Sequence, residues 1–186
     1  MPERKPVSLE VLSTIVAGLT FAVIAATAIA AIVQLRHLRA SNQMNALLAL
    51  MQLWESPEMQ RYFQYTFNEL PKKLKDPEFL AVYGAGALSR TDHPELLVAD
   101  YWEQIGAYAK HGLFDEASWL DIASAQVLRS WQVLEPIVAA RRNSDGNQAT
   151  FENFEYLAVR ATLWNRRYPN GNWRRGLPRM ADLDKS

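Results

Sequence analysis

The stretch VLSTIVAGLTFAVIAATAIAAIV, residues 11–33, runs for 23 positions without a charged side chain. As an α-helix it would rise about 34 Å, enough to cross a hydrocarbon core of about 30 Å. Pro6 and Glu10 mark its start, and Gln34, Arg36, His37 and Arg39 follow it as long polar side chains able to reach headgroups. Neither glycine nor proline occurs between residues 19 and 53. The sequence therefore predicts a transmembrane helix over 11–35 that begins before Val11 and continues beyond Arg39 toward Trp54.

A cleaved signal peptide competes with this reading, because Ala26-Thr27-Ala28 and Ala28-Ile29-Ala30 satisfy the small-x-small cleavage rule. The apolar run exceeds the roughly 7 to 15 residues of a signal core, which favours an anchor. Arg4 and Lys5 before the span balance Arg36 and Arg39 after it, so basic residues leave the orientation undecided. The compact size and the absence of cysteine tilt the expectation toward a cytoplasmic domain. Thr14, Gly18, Ala22, Ala26 and Ala30 recur every fourth residue and give the helix one face of small side chains. Gly18, Ala22, Ala26 and Ala30 are candidates for close pairing with a second helix, although alanine-rich spans also acquire this spacing by chance.

Beyond the span the pattern stays helical. Ser56-Pro57 and Asp76-Pro77 each read as an N-cap followed by proline in the first turn. Met59, Tyr62, Phe63, Phe67 and Leu70 fall at spacings of three and four. Asp92-His93-Pro94 opens a helix with Val98, Tyr101, Trp102, Ile105 and Ala109 on one face, and Gly112 stops it. Asp115 caps the next, which Pro136 should kink or end. Residues Asn143 to Asn147 read as a turn, and Thr150 is expected to cap the last helix. The expectation is an all-α protein whose N-terminal transmembrane helix continues into a membrane-proximal helical bundle. Its parts are an N-terminal tail (1–10), the transmembrane helix (11–35), a helical domain (36–168) and a basic irregular tail (169–186).

The formal net charge of the 186 residues is zero, but its distribution is uneven. Residues 54–135 carry thirteen acids after Leu53, counting Glu55 to Glu135, against seven bases, whereas residues 136–186 carry nine bases against five acids. An acidic middle and a basic end are more than solvation requires.

The runs Tyr101-Trp102-Glu103-Gln104-Ile105-Gly106, Gly112-Leu113-Phe114-Asp115-Glu116, Trp131 with Leu134-Glu135-Pro136, Arg141, and Phe151-Glu152-Asn153-Phe154-Glu155-Tyr156-Leu157-Ala158 occur in that order. Together they resemble a bacterial family known as domain of unknown function 4760, over roughly residues 10 to 170. The resemblance implies an all-helical domain, often preceded by one transmembrane helix, and no known activity.

Few residues suggest catalysis. The histidines are His37, His93 and His111, none at the spacing of a helical zinc site, and cysteine is absent. Gly84 and Gly86 lack the flanking residues of a phosphate-binding loop. No cofactor or metal is expected. Glu103 lies about 160° from Ile105 around its helix and reads as solvated. The family pattern nevertheless repeats a glutamate there just before a glycine, so Glu103, with Arg141 or Arg160 as partner, is a candidate buried ion pair.

From Tyr156 to Ala181 there are six arginines and no acid, interleaved with Trp164, Tyr168 and Trp173. Arg166, Arg167, Trp173, Arg174, Arg175 and Arg179 form a candidate membrane-surface segment, with arginines on phosphates and tryptophan at headgroup level. The same residues could instead dock on the acidic middle, and nucleic acid is the disfavoured partner. The functional expectation is a membrane-anchored noncatalytic interaction module whose partners are the bilayer and either a second copy or another membrane protein. The alternative is an enzyme whose site forms only in the fold or oligomer.

Overall fold

A computed structural model of the chain describes residues 9–86 and 88–183. The expectations for Arg4, Lys5, Pro6 and the rest of the N-terminal tail before Leu9 lie outside these residues. Among the described residues the structure contains helices and no strand. Helix α1 runs from Leu9 to Glu55, as the lack of glycine and proline predicts. The described residues up to Met44 form one unit and those from Asn45 onward a second.

In the first unit none of the apolar stretch is buried against protein, and by length and composition the helix is able to cross a membrane. The hydroxyls of residues 11–33 are internally satisfied. Ser13 and Thr14 donate to Glu10 O at 3.0 and 2.8 Å, Thr20 to Val16 O at 2.9 Å, and Thr27 to Val23 O at 2.8 Å. In a medium that offers no hydrogen bonds, each such back-bond removes a donor that would otherwise stand unpaired.

The second unit takes in the end of α1, then α2 (Pro57–Asn68), α3 (Leu70–Lys73), α4 (Pro77–Ala81), a 3₁₀ turn (Val82–Gly84), α5 (Glu95–Lys110), α6 (Glu116–Asp145), α7 (Glu152–Arg167) and α8 (Met180–Leu183). The local signals work as their chemistry requires. Ser56 Oγ accepts Met59 N–H at 3.2 Å, Asp76 accepts Glu78 N–H at 2.9 Å, and Asp115 accepts Ser118 N–H at 2.8 Å. The Ser118 hydroxyl and amide together hold the Asp115 carboxyl below its ordinary pKa.

Helix α5 is the centre of this unit. Leu96, Trp102 and Ile105 are fully buried, and α5 packs against α2, α6 and α7. Trp54, on the last turn of α1, joins Trp102 and Trp119 with ring centroids 5.9 to 6.4 Å apart. Tyr101 Oη donates to Leu50 O at 3.1 Å, which fixes that turn further.

Two local expectations are corrected and a third is narrowed. Of the two outcomes expected at Pro136, a kink or an end, the end does not occur: α6 continues to Asp145 and stops at Gly146 in the left-handed region, φ +62°. Pro136 and Gln132 are both exposed, so the carbonyl one turn back that loses its donor faces solvent. Thr150 does not cap α7; its carbonyl instead accepts from Arg142 Nε at 2.9 Å, and Phe151 occupies the cap position. The segment after Tyr168 is not wholly irregular, because Met180–Leu183 forms a single helical turn.

Candidate functional site

Helices α5 and α7 approach each other closely at Gly106. A Cβ at Gly106 would stand 1.9 Å from Asn153 O and 2.5 Å from Asn153 C, so only glycine fits there. One turn before it, Glu103 turns its carboxylate onto the start of α7. Oε1 accepts from Asn153 Nδ2 at 2.7 Å and Oε2 from Phe154 N–H at 2.8 Å. Phe151, at the cap position, has φ +56° and offers no side-chain acceptor. A helix start without its own cap is thus capped by a carboxylate from a neighbouring helix, where negative charge also complements the dipole.

The expected ion pair of Glu103 with Arg141 or Arg160 is therefore corrected. Glu103 is used up by amide donors. Arg160 instead forms a two-pronged pair with Glu116 at 2.7 and 2.8 Å. Arg141 donates to Gly86 O at 3.2 Å and reaches Asp145 at 3.9 Å.

A second polar cluster lies at the start of α5, and the sequence reading did not identify it. Glu95 is completely buried. Its Oε1 accepts a short hydrogen bond from Tyr83 Oη and lies 3.0 Å from His93 Nδ1, and Oε2 has no protein partner. Burial and then the Glu95 contact push the Tyr83 phenol well above its ordinary pKa. Tyr83 is thereby held as a hydrogen-bond donor and is a poor source of phenolate for base or nucleophilic chemistry. Phe79 closes on the cluster, its ring 5.6 Å from Tyr83 and 6.4 Å from His93. The arrangement ties the α4 and 3₁₀ segment to α5. His93 and Glu95 are legible as a helix start, but nothing local marks Tyr83, twelve residues earlier, as their partner.

The third element is the basic end. Arg90, Arg142 and Arg160 pair with Asp100, Glu155 and Glu116 at 2.7 to 2.9 Å. Arg166, Arg167, Arg174 and Arg175 have no carboxylate partner among the described residues. Arg167 stacks on Tyr168 at 5.3 Å, and Arg179 stacks on Trp173 at 5.0 Å while donating to Asn170 O. Among the described residues, Arg160 is the one of the six arginines with an ion pair to the acidic middle segment. Gly18, Ala22, Ala26 and Ala30 are all exposed on α1, and a Cβ at Gly18 would meet nothing within 4 Å.

The family described as Domain of unknown function (DUF4760) matches residues 21–161. The chain belongs to that family. No curated protein and no solved structure matches it. The DUF4760 match takes in the Tyr83–Glu95–His93 cluster and the joint of Glu103 and Gly106 with α7. It ends at Ala161, before Arg166, so the unpaired arginines lie beyond the part of the chain that defines it as DUF4760. Among the described residues no group of three or more His, Cys, Asp or Glu side chains is arranged to hold a metal ion.

Proposed function

We propose that the protein is a membrane-anchored, noncatalytic helical interaction module, held at a bacterial inner membrane by α1 with its helical domain on the cytoplasmic side. The observation that carries this reading is the apolar stretch of α1, exposed along its length with every hydroxyl of residues 11–33 bonded back to its own helix. An unbroken helix from Leu9 to Glu55 also suits an anchor better than a segment cleaved near Ala28 or Ala30. The polar groups of the domain support an interaction role, since Glu103, Glu95 and Tyr83 are used in joining helices.

The small face of Gly18, Ala22, Ala26 and Ala30 suits pairing with a second copy or with the helix of another membrane protein. The unpaired arginines, with Trp173 among them, suit contact with anionic headgroups, each worth about 1 kcal/mol near such a surface. The bilayer is then the first partner and a second helix the next.

The test is extraction and pairing of the full chain. After expression in bacteria it should stay with the membrane through an alkaline carbonate wash and keep its N-terminal residues by intact-mass measurement. Release of a chain shortened at Ala28 or Ala30 would replace the anchor with a signal peptide. In a membrane-based association assay, Gly18→Leu should weaken self-association by overfilling the crossing. Unchanged association would remove the pairing face.

A further inference from the structure

We propose that the turn following α7 is a cradle for a single phosphoryl group. This deepens the reading of the basic segment given above and rests on it, but it adds a defined site to what was a diffuse charge. The segment is folded rather than strung out. Gly171 N–H donates to Tyr168 O at 3.0 Å with Gly171 at φ +82°, and Trp173 N–H donates to Gly171 O at 2.9 Å. Trp173 Nε1 donates to Leu177 O at 2.7 Å, and Arg179 holds Asn170 O while stacking on the Trp173 ring. Arg179 thereby acts as a brace for the turn.

The braced turn borders an open cleft of about 550 Å³ lined by Arg167, Tyr168, Asn172, Trp173, Arg174 and Arg175. Three arginines line it, no acidic residue does, and none of the three has an acidic partner among the described residues. Three like charges around one cleft repel unless an anion lies between them. Guanidinium forks match the tetrahedral oxygens of a phosphoryl group in bidentate fashion, and the Asn172 amide adds a neutral donor. The Trp173 and Tyr168 rings give the cleft stiff walls at little cost in side-chain entropy.

A phosphoryl group could arrive on a lipid or as a free phosphate, and one experiment separates the two. The full chain in neutral detergent is titrated with inorganic phosphate by calorimetry, and separately offered phosphatidylglycerol or phosphatidylcholine in native mass spectrometry. One phosphoryl group should bind per chain. Arg175→Gln should weaken that binding roughly tenfold, the usual scale for one charge-assisted contact. Arg61→Gln makes the same charge change on the exposed face of α2 and should have no effect. Binding of phosphate supports the cradle with a free phosphate as its ligand. Retention of one phosphatidylglycerol, with neither phosphate nor phosphatidylcholine bound, supports it with a headgroup. No binding in either arm, or equal loss in Arg61→Gln, overturns it. Should the chain show only salt-dependent attraction to anionic bilayers, without a single saturable site, the surface reading stands and the cradle falls.

Discussion

Glu103 accepts the Phe154 N–H at 2.8 Å across a separation of 51 residues, so helix α7 is capped by a side chain that belongs to α5. This arrangement makes secondary structure depend on tertiary packing. Helix α7 gains its cap only when α5 is already beside it, and Gly106 is what lets α5 come so near.

Removing the carboxylate should therefore destabilise more than a surface substitution. Glu103→Ala leaves the Phe154 and Asn153 donors without their acceptor, at a cost of about 1 to 3 kcal/mol. Glu103→Gln keeps one carbonyl oxygen for Phe154 N–H and should lose less. Thermal melting of the full chain in detergent compares them. Equal melting of Glu103→Ala and wild type would show that the cap contributes nothing.

Gly106→Ala should be worse than either. Its added methyl meets a backbone oxygen at 1.9 Å, which no side-chain rotation can relieve, so α7 must move. Overpacking of this kind costs about 1 to 3 kcal/mol or more. Amide exchange at residues 152–158 should rise sharply in this variant, and unchanged protection there would contradict the joint.

An alkaline limit follows from two buried phenols. Burial raises the pKa of Tyr101, and burial with the Glu95 contact raises that of Tyr83, from the ordinary 10.0. Below pH 10 both phenols are protonated in the folded and unfolded chains alike, and their contribution is fully present. As pH rises past that value the unfolded chain loses these protons first, so stability falls. Tyrosinate absorbance should show two of the seven tyrosines ionising only as the fold is lost. Tyr83→Phe should remove one of them and, by leaving Glu95 a donor short, cost about 1 to 3 kcal/mol at neutral pH.

The basic segment should respond to lipid charge. In nanodiscs containing phosphatidylglycerol, amides of residues 169–183 should be protected from exchange at low salt and released as salt rises, because screening shortens the reach of the arginines. Arg174→Glu with Arg175→Glu should abolish that protection. Protection that is equal in purely zwitterionic discs would exclude an electrostatic cause.

Where a signal and its effect lie within one turn of chain, the sequence was readable. Ser56-Pro57, Asp76-Pro77 and Asp115 each cap the helix that follows them. The unbroken α1 follows equally directly from residues 19–53. The cap of α7 was misassigned to Thr150 because its acceptor comes from another helix, and helical periodicity alone placed Glu103 in solvent. At Pro136 the local rule leaves a kink and an end both open, and it is the water available on an exposed face that lets α6 run on. The Tyr83–Glu95 contact escaped because a loop separates its members and no period connects them. That Arg166, Arg167, Arg174 and Arg175 have no carboxylate partner among the described residues depends on where the carboxylates of the acidic segment lie, which no local pattern gives.

Trp54, Trp102 and Trp119 lie close enough for their excited states to mix. Three coupled indoles at fixed, non-parallel orientations should add an exciton couplet to the far-ultraviolet circular dichroism that separated tryptophans lack. One member sits on the last turn of α1 and the others on α5 and α6, so the share of the signal that comes from Trp54 exists only while that turn is seated. The protein thus carries its own optical gauge of how firmly the end of its long helix is gripped, one that needs no label and works in detergent or in lipid.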